Sequence, residues 1–456
     1  MVEESGNKSV GHRIKSFFSK LWDKIGPQVV LSDDAKKVYS NIIDFNDVGR
    51  HKFHLRLLKD GRGILVVDAR FVIYLNHTAM IMFQKFIEGK DVAEIEEFFN
   101  DHFKVEPGTV VRDFQAMLKK LARVLREEDS VPIFEMGIKT KDVELNDFPF
   151  RADIALTYLY SENAYCFPER SNNVKELDTD GIKKILDVLW ELGVPNITFT
   201  GGEPSQRDDL MELLRYTEDK GFVTGLITNG VEFSDDKLVV KAIEDGLDYV
   251  QITIQSHDAA IHNSMMGSSS WNETVQALKN FEKADLYFMT RTTLSKKNAE
   301  TIEKTIRWLH QDLNVQVMAF NALINFPGGK KYKQGFNKPE LEHLLTRIFT
   351  LADELGIDCK FYSPNQHLVV NPIEVGIGPK MGSATRTSIS IEPNGDVLPS
   401  FSYLDSVGNI LQDEWKYIWD SKLFKEIRKK EYIEPKATEK QLLAICGGGM
   451  PLNMDD

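Results

Sequence analysis

NITFTGGEPSQRDDLMELLRYTEDKGFVTGLITNG, residues 196–230, is the stretch that decides the architecture. Two apolar β-rich runs, NITFT (196–200) and FVTGLIT (222–228), flank a segment long enough for a helix, and each ends in polar, glycine-containing residues. The step recurs on both sides at intervals of roughly thirty residues, the length of a strand–helix–strand unit. ADIALTY (152–158), YVQITI (249–254), LYFMTR (286–291) and VQVMAF (315–320) are the other strands, with helices such as 181–192 and 299–310 between them. In the first of these helices Ile182, Ile185, Leu186 and Leu189 form one stripe. Alternation from Arg151 to about Tyr362 predicts a parallel sheet with right-handed crossovers, as a full or partial barrel. Active groups then belong at the C-terminal ends of the strands.

Upstream the periodicity shortens. HKFHLRLL (51–58), a turn containing Asp60-Gly61, then ILVVDA (64–69) and FVIYLN (71–76) read as strands, because Asp-Gly supplies the positive φ of a tight hairpin. Helical patterns follow at about 77–87, 91–102 and 107–127, the second opened by Asp91 with Glu94 in capping-box spacing. Residues 50–128 are thus expected to form a small α+β domain, a three-stranded sheet followed by helices. Residues 129–150, acidic and proline-containing, serve as linker. In the lead-in, residues 1–49, the segment GHRIKSFFSKLWDKI (11–25) sets Ile14, Phe17, Phe18, Leu21, Trp22 and Ile25 at helical spacing among basic residues. Such a helix docks on its own protein, on a partner or on a membrane surface.

Composition narrows the function. The chain has 456 residues, enough for two or three domains, and a formal charge of −13 that argues against nucleic acid as a partner. No window approaches the about 18 uninterrupted apolar residues of a membrane span, and the start does not resemble a signal peptide, so a cytoplasmic location is expected, with peripheral membrane contact through 11–25 as a variant. The three cysteines, Cys166, Cys359 and Cys446, form no C-x-x-C pair. They exclude a disulfide framework and a four-cysteine metal site within one chain.

Residues 151–323 resemble the core of the radical S-adenosylmethionine (SAM) superfamily. The resemblance rests on Gly201-Gly202-Glu203-Pro204 after the second strand, Thr228-Asn229-Gly230 after the third, Gln255-Ser256-His257-Asp258 after the fourth and Arg291-Thr292-Thr293 after the fifth. It implies a SAM site at Gly201, Gly202, Glu203, Pro204, Asn229, Gln255, Ser256, Arg291 and Thr293. The family's C-x3-C-x2-C motif belongs after the first strand, where this chain has Tyr160, a deletion after Asn163, and Cys166 followed by Phe167. Residues 363–456 resemble the SPASM extension, which carries auxiliary clusters. Gly382, Ser400, Ala437, Lys440 and Met450 stand where cysteines are expected there, and Cys446 alone matches. Residues 50–128 resemble a PqqD-like, winged-helix-like peptide-recognition domain, implying strand addition of a peptide along His54, Arg56, Leu57 and Leu58.

The expectation is therefore a radical SAM-type partial or full (β/α) barrel with no catalytic residue assigned, Cys166 and Cys446 being remnant ligand positions. No stoichiometric [4Fe–4S] cluster and only weak SAM binding are expected, because iron–sulfur clusters are held chiefly by thiolates. Such a chain is a pseudoenzyme binding a leader peptide or an intact radical SAM enzyme. An atypical enzyme with partner-supplied or non-cysteine ligands, and a membrane-surface scaffold, are the alternatives. Packing or surface hydrogen bonding is the expected role of Cys166, Cys359, Tyr158, Tyr160, Tyr165 and His262, the spacing of the tyrosines and His262 defining no site.

Overall fold

The computed structural model describes residues 38–45, 49–58, 61–68, 71–125, 147–159, 175–323, 334–361, 385, 388–401, 403 and 405–429. The chain divides into two compact units, one of Met1–Met136 with Trp190–Pro195 and one of Gly137–Leu189 with Asn196–Asp456. Residues 11–25 lie outside the described residues.

In the first unit an antiparallel sheet runs β1 (Val38–Phe45), β2 (Gly49–Leu57), β3 (Gly63–Val67), β4 (Phe71–Leu75). The β2–β3 hairpin turns where Asp-Gly predicts it. Gly61 takes φ +79°, donating its N–H to the Leu58 carbonyl, and the Leu58 N–H closes on Arg62. Three helices follow, α1 (His77–Ile87), α2 (Val92–His102) and α3 (Thr109–Leu125). The Asn76 side chain caps α1, and Asp91 with Glu94 makes the expected capping box on α2. One core, including Phe53, Leu55, Leu65, Val67, Met80, Phe83, Phe99 and Phe114, joins sheet to helices.

The sheet has four strands where three were expected, and the extra strand changes the peptide-binding reading. VYSNIIDF pairs with β2 from Val38 opposite Arg56 to Phe45 opposite Gly49, and β3 pairs along the other side. So β2 is internal, and its main-chain groups are already used by two neighbours. Strand addition along His54, Arg56 and Leu57 is not available, and Leu58 lies in the turn. His54 and Arg56 are buried, at 4 % and 9 % exposure. The outer strands of the described sheet are β1 and β4.

The second unit is built on one sheet in the order β11-β10-β9-β8-β7-β6-β5-β12-β13. Its strands are β5 (Arg151–Thr157), β6 (Asn196–Gly201), β7 (Val223–Thr228), β8 (Leu247–Thr253), β9 (Tyr287–Leu294), β10 (Val317–Ala322), β11 (Asp358–Phe361), β12 (Ser388–Ile391) and β13 (Val397–Leu398). All neighbours are parallel except β12 and β13. Among the described residues the sheet does not close on itself, as in a partial barrel. Helices α4 (Thr179–Glu191), α5 (Leu210–Lys220), α6 (Asp236–Glu244), α7 (Ala259–Met266), α8 (Trp271–Lys283), α9 (Ile302–Leu313) and α10 (Lys338–Leu355) connect the strands up to β11. Short helices α11 (Trp415–Trp419) and α12 (Lys422–Lys429) come last. Among the described residues no helix is long and apolar enough to cross a membrane.

Alternation along the strands separates two faces. Ile154, Leu156, Ile197, Phe199, Leu226, Val250, Ile252, Met318 and Phe320 are buried on the outer, helix-covered face. The inner face is mostly polar, and the register orders it in rows. Asp153, Thr198, Gly225 and Tyr249 share the lowest row. Here the Tyr249 ring lies across Gly225, where a Cβ would sit 2.0 Å from Cζ. Its hydroxyl meets Thr198 Oγ1 at 2.8 Å and Asn196 Oδ1 at 3.1 Å. This buried layer floors a polar cup that opens at the C-terminal ends of the strands.

The C-terminal extension is not a separate layer. β12 pairs in parallel with β5, the Tyr158 hydroxyl donates to Glu392 Oε1 (2.8 Å), and the Leu177 N–H donates to the Pro393 carbonyl (2.9 Å).

Candidate functional site

At the rim of the cup, β6 ends in the glycine turn. Gly201 takes φ +127°, and a Cβ there would lie 2.2 Å from the Thr157 carbonyl oxygen; one on Gly202 would lie 2.1 Å from that of Leu159. The chain's own backbone leaving β5 occupies the space that glycine provides. Gly202 donates its N–H to Thr157 O (2.7 Å) and Glu203 donates to Leu159 O (2.8 Å). The adjacent glycines thus seat the start of the β5–α4 connection.

Glu203 is the pivot of the rim. Its carboxylate is 3 % exposed and accepts four hydrogen bonds: from Ser205 N (3.1 Å), Ser205 Oγ (2.7 Å) and Thr228 Oγ1 (2.7 Å) on one oxygen, and from Asn229 N (2.7 Å) on the other. Burial raises its pKa, and the four donors act in the opposite direction. β6 and β7 are thereby tied at their ends. Pro204 follows at the start of a single 3-10 turn, buried.

A second tie links β8 and β9. Gln255 Oε1 accepts from Thr293 N (2.9 Å), Asn298 Nδ2 donates to the carbonyls of Gln255 (2.9 Å) and Thr293 (3.1 Å), and Thr293 Oγ1 donates to Asn321 Oδ1 (2.9 Å). Ser256 Oγ accepts from Asp258 N. The structure therefore brings Glu203, Asn229, Gln255, Ser256 and Thr293 to one rim, with Arg291 one row lower on the inner face. Glu203, Gln255, Ser256 and Thr293 are buried and engaged within the chain; Gly201, Gly202, Asn229 and Arg291 are partly exposed.

His262 belongs to the packing behind this rim. It is fully buried, its Nδ1 accepts from Gln255 N (3.2 Å), and the ring proton is therefore on Nε2, 3.3 Å from Ser270 Oγ. Burial pulls its pKa down to about 4, so it is neutral at pH 7. A folded pKa below the unfolded value of about 6.5 gives stability that is present above pH 6.5 and lost as pH falls toward 4. Between pH 7 and 4.5 His262 is expected to remove about 2 kcal/mol. Urea titrations of wild type and His262→Gln at both pH values check this: the variant's loss on acidification should be smaller by that amount, and equal losses would refute it.

Arg207 was not singled out from sequence. It is bidentate to Asp209 (2.8 and 2.7 Å) and donates to the carbonyls of Leu156 (3.0 Å) and Leu177 (3.1 Å), clamping both ends of the β5–α4 connection. Glu176 assists, accepting from Thr157 Oγ1 and Tyr158 N. Only the Arg-x-Asp spacing hints at this. Within that connection Tyr160, Tyr165 and Cys166 lie outside the described residues, as do Gly382, Ala437, Lys440, Cys446 and Met450.

Comparison with known proteins fits this geometry. Residues 164–309 match the radical SAM superfamily, and residues 383–447 match SPASM, an iron–sulfur cluster-binding domain. A radical SAM match is thus followed along the chain by a SPASM match. An AdoMet-dependent heme synthase of Methanosarcina barkeri is 26 % identical over 290 residues, 60 % of this chain and 82 % of that protein. A PqqA peptide cyclase of Bradyrhizobium diazoefficiens is 29 % identical over 241 residues, 51 % of this chain and 60 % of that protein. Among solved structures, Streptococcus suis SuiB bound to S-adenosylmethionine superposes with a TM-score of 0.59 at 17 % identity, covering 92 % of this chain and 95 % of that one. SuiB bound to the precursor peptide SuiA gives 0.57 at 16 % identity, covering 93 % and 95 %. At that identity the likeness is one of fold.

These matches overturn the expectation of no stoichiometric [4Fe–4S] cluster and only weak SAM. The SPASM match is to an iron–sulfur cluster-binding domain, the radical SAM match includes Cys166, and a neighbour in fold binds SAM. A cysteine count is a poor guide because ligation is not confined to cysteine: histidines replace two of the thiolates in Rieske centres. Cys359 is buried on β11, six strands across the sheet from β5, and no group of three or more His, Cys, Asp or Glu among the described residues is arranged to hold a metal ion. The described residues by themselves therefore do not fit a cluster held by three thiolates.

Proposed function

We propose that the chain binds an extended peptide in a peptide-maturation pathway, and that it serves there as a peptide-holding component that does not cleave SAM by itself. The four-stranded sheet, whose outer strands among the described residues are β1 and β4, carries this reading, because a strand edge offers main-chain donors and acceptors to an added strand. Support comes from the breadth of the fold likeness to SuiB, a protein solved with its precursor peptide, and from the peptide cyclase relative. The heme synthase match covers 60 % of this chain. SAM, when bound, supplies a reductively cleavable sulfonium; Gly201, Gly202, Asn229 and the rim fixed by Glu203, Gln255, Ser256 and Thr293 would hold it.

Two measurements test it. Peptides captured by the full chain from its native cell should raise amide hydrogen-exchange protection in β1 or β4 while leaving β2 and β3, already paired on both sides, unchanged; protection elsewhere only would remove the strand-edge reading. The reconstituted, reduced chain should release no 5′-deoxyadenosine without a partner enzyme. Multiple turnovers by the chain alone would make it an enzyme in its own right.

A further inference from the structure

Directly above the sealed floor of the cup, one amide stands between apolar side chains. Gln251 on β8 is in register with Ile227 on β7 and with Met289 on β9, and along its strand it follows Tyr249, the ring of the floor, on the same face. It is 9 % exposed, whereas Ile227 beside it and Thr253 one step up the strand are partly exposed, so the space of the cup reaches down to this row. Gln251 Nε2 donates to Met289 Sδ at 3.1 Å. A thioether carries lone pairs and no hydrogen, so it fixes which way round the amide lies, with nitrogen against the sulfur and oxygen turned from it. Among the described residues no group donates to Gln251 Oε1. The nearest hydroxyl below, that of Tyr249, is engaged with Thr198 and Asn196. A buried amide oxygen without a donor is costly and uncommon, and sulfur is a weak acceptor for the nitrogen.

We propose that Gln251 selects a primary carboxamide, carried by an Asn or Gln side chain of the peptide that the chain handles. With the Nε2 hydrogen remote from the oxygen committed to Met289, the near hydrogen and Oε1 make one planar edge, an acceptor beside a donor. Another primary carboxamide answers that edge with two parallel N–H···O bonds. A trans peptide bond does not, because its N–H and C=O point in opposite directions. A carboxylate offers acceptors alone and sets an oxygen against Oε1, and an ammonium offers donors alone, so each leaves one of the two groups unmatched. Ile227 and Met289 on either side suit the methylene stem of the entering side chain. The assignment rests on the peptide-binding reading and specifies one side chain that such a peptide presents to the cup.

Short probes of the form N-acetyl-Gly-Xaa-Gly-N-methylamide, with Asn, Gln, Asp or Leu in the middle, carry no primary amide except that of the side chain. Offered to the full chain and followed by ligand-observed NMR, the Asn or the Gln probe should bind about tenfold or more tightly than the Leu probe, the value of one or two hydrogen bonds, and severalfold more tightly than the Asp probe. Gln251→Met keeps the length of the side chain and removes both polar groups. It should cost the carboxamide probe about tenfold or more and leave the Leu probe unchanged. SAM should not displace the carboxamide probe, and calorimetry should give Gln251→Met the SAM affinity of wild type. Equal binding of all four probes to wild type, a ranking that needs no variant to fold, overturns the proposal. So does a carboxamide preference that survives in Gln251→Met, or displacement of the probe by SAM with loss of SAM affinity in that variant, which would give the amide edge to adenine. The probes are too short to add as a strand, so a failed strand-edge experiment leaves this result readable.

Discussion

Gly202→Ala is expected to cost the second unit about 3 kcal/mol or more, the size of change associated with a named backbone conflict. The added methyl would lie 2.1 Å from the carbonyl oxygen of Leu159 and 2.7 Å from its carbonyl carbon. Those atoms are main chain and have no rotamer to change. Relief requires the chain leaving β5 to move away, with loss of the hydrogen bonds Gly202 N to Thr157 O and Glu203 N to Leu159 O, each worth about 1 kcal/mol. Gly356→Ala is the useful control. It sits at φ +69° with nothing within 4 Å of its would-be Cβ, so it should cost only the about 1–2 kcal/mol of a left-handed residue. Chemical denaturation of the three proteins checks the order; equal losses would mean that the β5 exit does not press on the turn.

Glu203→Ala should be comparably severe, about 3–5 kcal/mol, because it strands two part-buried amide N–H groups and two hydroxyls that now share one buried carboxylate. Glu203→Gln should cost less, about 1–3 kcal/mol, since its amide nitrogen must face at least one of those donors. The pair of variants separates shape from charge: Gln preserves volume and half the acceptors. Denaturation midpoints give the two losses, and a Gln variant as stable as wild type would show that Glu203 does not organise the rim.

Much of this was legible in the sequence because parallel strands buried on one face write a plain pattern. ADIALT, NITFT, VTGLIT and VQIT emerge as β5 to β8 within a residue or two, and Asp91 with Glu94 caps α2 as its spacing demands. β1 was missed because Ser40, Asn41 and Asp44 interrupt its apolar alternation, and its pairing with β2 is fixed by tertiary packing of Tyr39 and Ile43 on the core. That omission turned an internal strand into an apparent edge. At the rim, glycine, glutamate and asparagine were recognisable as residue types, but not the partners. Thr228 and Ser205 satisfy Glu203, and Arg207 reaches back to Leu156, across connections that no local pattern encodes. Cysteines misled for a different reason, since loss of a familiar ligand says nothing about what replaces it.

The parallel pairing of β12 with β5 has a bearing on biogenesis. Tyr158 and its partner Glu392 are 234 positions apart, so during synthesis β5 emerges long before the strand that covers its flank. Until then an apolar strand edge stands open, a template for pairing with other nascent chains. Contacts of such sequence separation also form slowly, since loop closure must come first. Cutting the chain ahead of Ser388 would make that transient exposure permanent, so truncated products should accumulate as aggregates rather than as a free-standing barrel.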